Sequence, residues 1–382
     1  MKKKKVASLF AFLKVGGGVE KVQANLSIGL TDLGYEFYHI LSEDIGPKND
    51  YKGEIITLNN PFVLGFGIKK IWSLFTNAFK VSRICKKEKI DVLIGQGDYF
   101  FMISGLVKLL GFKGKSIAVV HTTIGIWPKY LNLLLRFFLN LNDKIVLISN
   151  EEFNTFINKY GFKKEKLEFI YNSIDLEENS QKIQENLPIE YKNIFKNGKF
   201  TFINIGRLTP QKNQRLLLDA FEVFHKKYNK SQLIILGDGE LREDLNNFRS
   251  NLSSKDDIYF LGKQENVFSF LKHSDCFVLS SLFEGFGLVL IEAMVAGLPI
   301  ISTKCPSGPI EILSGKNTDG FEVTNNAILI TNGDIDEMCK AMENMYLNTK
   351  IREKISKNNL IKVKEFDKSI IISKWENFID SL

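Results

Sequence analysis

Short apolar runs rich in β-branched and aromatic residues alternate with longer amphipathic stretches along the whole chain, and no other feature constrains the fold as much. In the first half the short runs are VASLFAF, FYHIL, DVLIG, SIAVV and IVLIS; in the second they are FTFINIG, QLIILG, IYFLG, CFVLSS and PIISTK. Strands that are apolar throughout, with helical stretches between them, predict parallel sheets covered by helices. The chain has 382 residues, 44% of them hydrophobic, which exceeds one typical core and predicts two α/β domains. The break falls in the polar stretch after YNSID. This gives a first domain over 1–174, a linker over 175–198, a second domain over 199–368, and a final amphipathic helix over 369–382 whose apolar face, with Trp375 and Phe378, needs a surface to cover it.

The N-terminus, MKKKKVASLFAFLKVGGG, has the charge and apolar run of a signal peptide. Lys14 interrupts that run, and no small-residue cleavage site follows, so it reads as a first buried strand. Nowhere do about eighteen apolar residues run uninterrupted, so no transmembrane helix is expected. Cys85, Cys276, Cys305 and Cys339 are widely spaced and form no C-x-x-C pair, which reads as small hydrophobes in a reducing cytoplasm. The net charge of +7 is uneven: residues 1–174 hold 25 Lys and Arg against 15 Asp and Glu, while residues 175–382 hold 26 against 29. A basic front half suits nucleic acid, an anionic membrane surface or a phosphorylated acceptor, and equally suits ordinary lysine-rich solubility. Basic residues show no arrangement of a nucleic-acid module. Two segments in this half, 68–87 and 127–144, mix aromatic residues with Lys and Arg at helical spacing. That pattern fits helices lying on a membrane, and it also fits ordinary helices packed on a sheet.

Four constellations carry candidate chemistry. The turn VGGGVEKVQANL sets Gly16, Gly17 and Gly18 between the first strand and a helix, where backbone can approach a ligand closely and free helix amides can meet an anion. It is not the G-x-G-x-x-G of dinucleotide sites. The second, INIGRLTPQKNQ, places Arg207 and Lys212 in the loop after a strand, where two cations suit a diphosphate. The third, EGFGLVLIEAMVAGLP, holds Glu284 in a loop, Phe286, Gly287 and Leu288 at a helix start, and Glu292 about two turns into that helix. A helix N-terminus for phosphate beside two carboxylates for hydroxyls matches a sugar nucleotide. The fourth, VVHTT, sets His121 at the end of an apolar strand, a place that suits a structural histidine as well as a ligand contact.

The segments GGGVE, VVHTT, IYNSID, GRLTPQKN, LGDGELR, FLGKQENV, SLFEGFGLVLIEAMVAGLPII and CPSGPIEIL follow one another in the order found in the retaining family-4 (group 1) glycosyltransferases. By these motifs the chain resembles that family over nearly its whole length. The resemblance implies a GT-B architecture of two Rossmann-like domains facing a central cleft, with the final helix crossing back to the first domain. It further implies that the second domain holds the donor, with Arg207 and Lys212 on the diphosphate, Glu292 on the ribose and Glu284 on the transferred sugar. Amides around Phe286, Gly287 and Leu288 would support sugar or phosphate, and Gly17 and Gly18 would approach the donor. His121 would lie near the reacting carbon, and loops including Gly237, Gly262 and Lys263 would lie near the base. Two departures stand out: Ser173 where the family commonly has Gly, and a TDGFEVTNNAILITNGD segment longer than usual.

In such enzymes no protein nucleophile is evident, and the acceptor attacks from the face the diphosphate leaves. Catalysis then means stabilising negative charge on the leaving group, for which Arg207, Lys212 and helix N-termini are placed. The single D-x-D, Asp334 and Asp336, opens a helical stretch, so N-capping explains it more simply than a metal site. The expectation is a metal-independent enzyme moving a hexose or N-acetylhexosamine from a UDP-sugar to a lipid-linked or polysaccharide acceptor, in bacterial polysaccharide, lipopolysaccharide or lipid-linked oligosaccharide synthesis. It would be cytoplasmic, peripheral at the anionic inner membrane surface, with no nucleic-acid partner. A nucleotide-sugar 2-epimerase of the same plan and a non-catalytic sugar-nucleotide-binding protein are the competing readings.

Overall fold

The computed structural model describes residues 3–13, 17–46, 48, 50–60, 68–121 and 129–382. Gly16, Thr122, Thr123 and the start of the 127–144 segment lie outside the described residues. The chain divides into two compact units: Met1–Ile174 with Lys368–Leu382, and Asp175–Asp367.

The first unit is built on strands β1 (Lys5–Phe10), β2 (Glu36–Leu41), β3 (Glu54–Thr57), β4 (Val92–Gln96), β5 (Lys115–Val120), β6 (Lys144–Leu147) and β7 (Leu167–Phe169). They pair in parallel in the order β3-β2-β1-β4-β5-β6-β7. Helices cover both faces, so Val6, Ala7 and Leu9 of β1 are all fully buried, which is why the run is apolar without alternation. The helices Ile68–Glu88, Asp98–Leu109 and Lys129–Leu141 pack side by side, the middle one against both others. Leu74, Ala78, Val81 and Cys85 of the first, with Leu131, Leu135, Phe138 and Leu139 of the third, join the core at helical spacing. The opposite stripes stay outside: Trp72 is 68% exposed and Phe79 57%, and Phe75, Leu133, Leu134 and Phe137 are exposed as well.

The final helix, Lys368–Asp380, belongs to this unit and packs on the helix Gly18–Asp32. A methyl group at Gly29 would stand 2.5 Å from Ile372 Cγ1, so glycine is what lets the two helices close. Ile371, Ile372, Trp375, Phe378 and Ile379 are thereby buried. Polar ties finish the contact: Lys3 Nζ donates to Glu376 Oε1 at 2.7 Å, and Tyr35 Oη donates to Asp380 Oδ1 at 2.5 Å.

The second unit repeats the plan with β8 (Phe200–Ile205), β9 (Ser231–Leu236), β10 (Ile258–Gly262), β11 (Cys276–Leu279), β12 (Ile300–Thr303), β13 (Glu322–Val323) and β14 (Ile328–Ile330). The order is β10-β9-β8-β11-β12-β14-β13, parallel except for the last pair. The long TDGFEVTNNAILITNGD segment is that exception: it folds back as the hairpin β13–β14, and its extra length becomes an antiparallel edge.

Residues 175–198, expected as a linker, instead form an integral part of the second unit. Asp175 caps the helix Leu176–Gln184 by accepting from Glu178 N. Asn266 Nδ2 donates to Lys182 O at 2.9 Å, Gln232 Nε2 donates to Ile194 O at 2.9 Å, and the Tyr191 ring packs 5.4 Å from Phe270. Asn, Glu and Lys on the outer faces of these short helices give the segment its linker-like composition. Asp334, in turn, caps the helix Ile335–Leu347 by accepting from Glu337 N, the role its place at a helix start suggests.

Candidate active site

In the second sheet the strand order reverses between β8 and β11, and ligands of doubly wound sheets gather outside the carboxyl ends of the strands at such a point. Two loops leave the sheet there. The loop after β8 carries Arg207 and Lys212, and the loop after β11 carries Ser280 to Gly287.

The two loops are joined by their functional side chains. Lys212 Nζ donates to Glu284 Oε1 at 2.5 Å, and Ser281 Oγ donates to the same oxygen at 2.6 Å. Glu284 is only 7% exposed, so its carboxylate needs both donors, and Oε2 accepts from no other described residue. The Lys212 stem runs past Gly206, where a methyl group would stand in ordinary contact with it at 3.5 Å. Asn213, in the left-handed region at φ 47°, turns the chain from the short 3-10 turn Pro210–Lys212 into the helix Gln214–Lys227. Arg207 is exposed on the same loop, and its carbonyl accepts from Gln214 Nε2 at 3.1 Å. Its guanidinium makes no ion pair with a described residue.

Gly287, at φ 87°, precedes the helix Leu288–Val295, and its carbonyl accepts from Leu290 N at 2.8 Å. The Phe286 side chain is buried against Phe366, their ring centroids 5.8 Å apart, and its backbone packs closely on Gly308. Glu292 is half-buried on the second turn of this helix. Gly237, at φ 137°, brings the loop after β9 against the loop after β8; a methyl group there would meet Gly206 O at 1.9 Å. Gly237 N donates to Gly262 O at 2.8 Å, so the loops after β8, β9 and β10 form one rim, with Lys263 exposed on it.

The first unit has its own reversal, between β1 and β4. Gly17 precedes the helix Gly18–Asp32, and Glu20 folds back over it, within 1.8 Å of where a Cβ would stand. His121 directly follows β5, and Gln96 ends the neighbouring β4. His121 Nε2 lies 2.7 Å from Gln96 Oε1, and burial pushes the imidazole down to about 4.

Three comparisons bear on what these loops do. The "Glycosyl transferases group 1" family matches residues 188–360, and "Glycosyltransferase Family 4" matches residues 16–178. An uncharacterised glycosyltransferase of Methanocaldococcus jannaschii is 35% identical over 69% of this chain and 67% of its own. The chain belongs to the group 1 glycosyltransferases. An Escherichia coli UDP-Gal:alpha-D-GlcNAc-diphosphoundecaprenol alpha-1,3-galactosyltransferase is 27% identical to this glycosyltransferase, over 84% of this chain and 82% of its own. The crystal structure of Anabaena HepE with UDP superposes with a TM-score of 0.78 at 19% identity, covering 99% of this chain and 100% of that one. That likeness fixes the fold class of the glycosyltransferase as GT-B, two Rossmann-like domains.

Within the second unit of the glycosyltransferase, Arg207, Lys212, Glu284, Phe286, Gly287, Leu288 and Glu292 gather on two adjoining loops and one helix. Gly237, Gly262 and Lys263 line the neighbouring rim, while Gly17, Gly18 and His121 belong to the other unit. Sequence reasoning missed the residues that hold these in place. Ser281 orients Glu284, Thr303 Oγ1 donates to Ser281 O at 2.6 Å, Asn332 Nδ2 donates to Leu282 O at 2.6 Å, and Ser307 Oγ donates to Gly285 O at 3.0 Å. Only Ser281 carried a local signal, a hydroxyl three positions before Glu284; the others come from distant strand ends. Cys305, buried beside this group, has its thiol pushed up to about 12 by burial, with the Glu284 carboxylate adding to the shift. It is an inert filler.

Proposed function

We propose that this glycosyltransferase moves a hexose or N-acetylhexosamine from a UDP-sugar to a lipid-linked or polysaccharide acceptor, with retention of configuration. The observation that carries the reading is the Lys212–Glu284–Ser281 group on the loops of the β8/β11 reversal, beside Arg207, which makes no ion pair with a described residue. Two cations there are suited to a diphosphate, and Oε2 of Glu284 is suited to a sugar hydroxyl. Relatives support the substrate class: the Escherichia coli enzyme is named for a UDP-Gal donor and a diphosphoundecaprenol acceptor.

In this reading Arg207 and Lys212 take the diphosphate, and the amides of Phe286, Gly287 and Leu288 add the positive end of a helix. Glu292 accepts from the ribose hydroxyls and Glu284 from the transferred sugar. Gly237, Gly262 and Lys263 border the base. Gly17, Gly18 and His121 are assigned to the donor by the family resemblance alone. Charge leaving with the nucleotide is neutralised by fixed cations and dipoles, so no metal ion is required. The acceptor hydroxyl attacks from the side the diphosphate leaves, which preserves configuration without a protein nucleophile. The enzyme works at the inner face of the cytoplasmic membrane, where its basic first half and the exposed apolar stripes of the helices Ile68–Glu88 and Lys129–Leu141 meet anionic lipid.

The test is incubation with a panel of radiolabelled UDP-sugars, with and without a lipid-linked saccharide, in EDTA. Acceptor-dependent release of UDP is expected. Isomerisation of the donor without acceptor would assign an epimerase, and binding without turnover would assign a receptor for sugar nucleotides.

A further inference from the structure

The loop that carries Glu284 is held by its carbonyls. Ser281 O accepts from Thr303 Oγ1 at 2.6 Å, Leu282 O from Asn332 Nδ2 at 2.6 Å, Phe283 O from Gln211 Nε2 at 2.9 Å, and Gly285 O from Ser307 Oγ at 3.0 Å. The carbonyls on either side of Glu284 are thus both fixed, one by the loop after β8 and one by the loop after β12. Gln211, Thr303 and Asn332 reach their carbonyls from backbone at negative φ. Ser307 does not: it stands at φ 78° and ψ −132°, away from the left-handed helical well and in a region that glycine enters freely and serine does not. It is buried, and the two loops lie close: Gly308 N adds a longer bond to Gly285 O at 3.4 Å, and a methyl group at Gly308 would meet Phe286 O at 2.3 Å. Glycine at 307 would take this turn without strain and would leave Gly285 O without the hydroxyl. Strain of this kind costs as much as one neutral hydrogen bond returns, or more, so the serine gains the fold nothing over glycine.

We propose that Ser307 is a positioning residue for sugar transfer, kept in a strained conformation because its hydroxyl fixes the Gly285 carbonyl and, through it, the backbone between Glu284 and the helix Leu288–Val295. It acts through the loop it holds and not through a contact with substrate. The role in transfer rests on the function proposed above, in which Glu284 and the residues after it meet the donor; the strain and the hold on the loop do not. A fixed loop keeps the Glu284 carboxylate in one place before the donor arrives, which spares the reaction the cost of ordering it.

Two variants separate hydroxyl from strain. Ser307→Ala loses the hydroxyl and keeps the strain, whereas Ser307→Gly loses both. Without ligand, Ser307→Gly should unfold at a higher temperature than Ser307→Ala, and amide hydrogen exchange over 281–290 should quicken in both while the rest of the second unit exchanges as in wild type. With UDP-glucose, UDP-galactose or UDP-GlcNAc and a lipid-linked saccharide, kcat should fall about tenfold in both variants with donor KM changed less than about twofold, so that activity does not follow stability. Ser307→Gly no more stable than Ser307→Ala overturns the strain. Wild-type exchange over 281–290 in both variants overturns the hold on the loop. A kcat that follows stability, kept in Ser307→Gly and lost in Ser307→Ala, overturns the role in transfer and leaves the serine a structural residue. Gln211→Met is the second variant should Ser307→Ala fail to fold: it frees Phe283 O with no strain to relieve, and wild-type exchange and kcat there would overturn the idea that pinned carbonyls position Glu284. Failure of the wild type to transfer from any UDP-sugar sinks the functional reading and the role in transfer together, whereas the strain and the hold on the loop are decided without ligand.

Discussion

Lys212 and Glu284 are 72 residues apart in the chain and 2.5 Å apart in space. Their types and motifs are readable in the sequence, as candidates for phosphate and hydroxyl. Their pairing is not, because it depends on β8 and β11 lying side by side. Lys212→Ala leaves Glu284 buried with one donor and, on the function proposed above, removes a cation from the leaving group. Removing such a charge-stabilising group costs roughly 3–4 kcal/mol of barrier, so transfer should fall about a hundred- to a thousandfold in a folded protein. Glu284→Ala should do comparable damage. Turnover unchanged in both variants, measured by UDP release, would remove the assignment. Gly237 makes a different kind of statement. At φ 137°, with Gly206 O 1.9 Å from any Cβ, Gly237→Ala forces the β8 and β9 loops apart. A loss of about 2–4 kcal/mol of stability is expected in denaturant unfolding; a change below about 0.5 kcal/mol would mean the rim gives way easily.

At the scale of elements, the helices are held by polar ties that periodicity does not reveal. Glu222, on the helix Gln214–Lys227, accepts from the amides and hydroxyls of Ser253 and Ser254, four donors in the turn before β10. Burial alone would raise its carboxyl; the serine bonds overcome that and hold it at about 2. A carboxylate depressed from 4.5 to about 2 stabilises the fold fully above the unfolded value, and that stability disappears as pH falls through about 2. Its worth at neutral pH is on the order of 2–3 kcal/mol. Glu222→Gln should therefore be less stable than wild type at about pH 7, with the gap closing toward pH 2. A gap that stays constant across that range in thermal unfolding would rule the ionised carboxylate out as the cause. The same lesson applies to residues 175–198. Their short helices are tied by Asn266, Gln232 and Phe270, side chains about forty to eighty positions away, so no local pattern marks them as part of a domain.

For the whole molecule, charge and exposure combine in the first unit. The helix Ile68–Glu88 exposes Trp72, Phe75 and Phe79 and continues on the same side to the exposed Arg83 and Lys86. An apolar stripe that runs into cations suits an anionic bilayer, so the protein should co-sediment with phosphatidylglycerol-rich vesicles at low salt and less at high salt. Replacing Trp72, Phe75 and Phe79 together by Ser should abolish this without unfolding the unit, since none of the three joins its core. Equal sedimentation of wild type and triple variant would reject the membrane contact. The alternation of apolar runs by itself determined two parallel sheets, and the motifs at strand ends marked Arg207, Lys212, Glu284 and Glu292 as candidates, because period and spacing are local properties of a chain. Tertiary structure alone decided that Lys212 pairs with Glu284, that Ser281, Thr303 and Asn332 brace the loop, and that 175–198 is packed. It also decided that Gln211 and Ser307 reach the carbonyls on either side of Glu284. Each of these is a contact between residues far apart in sequence, and such contacts exist only once strand order has set which loops are neighbours.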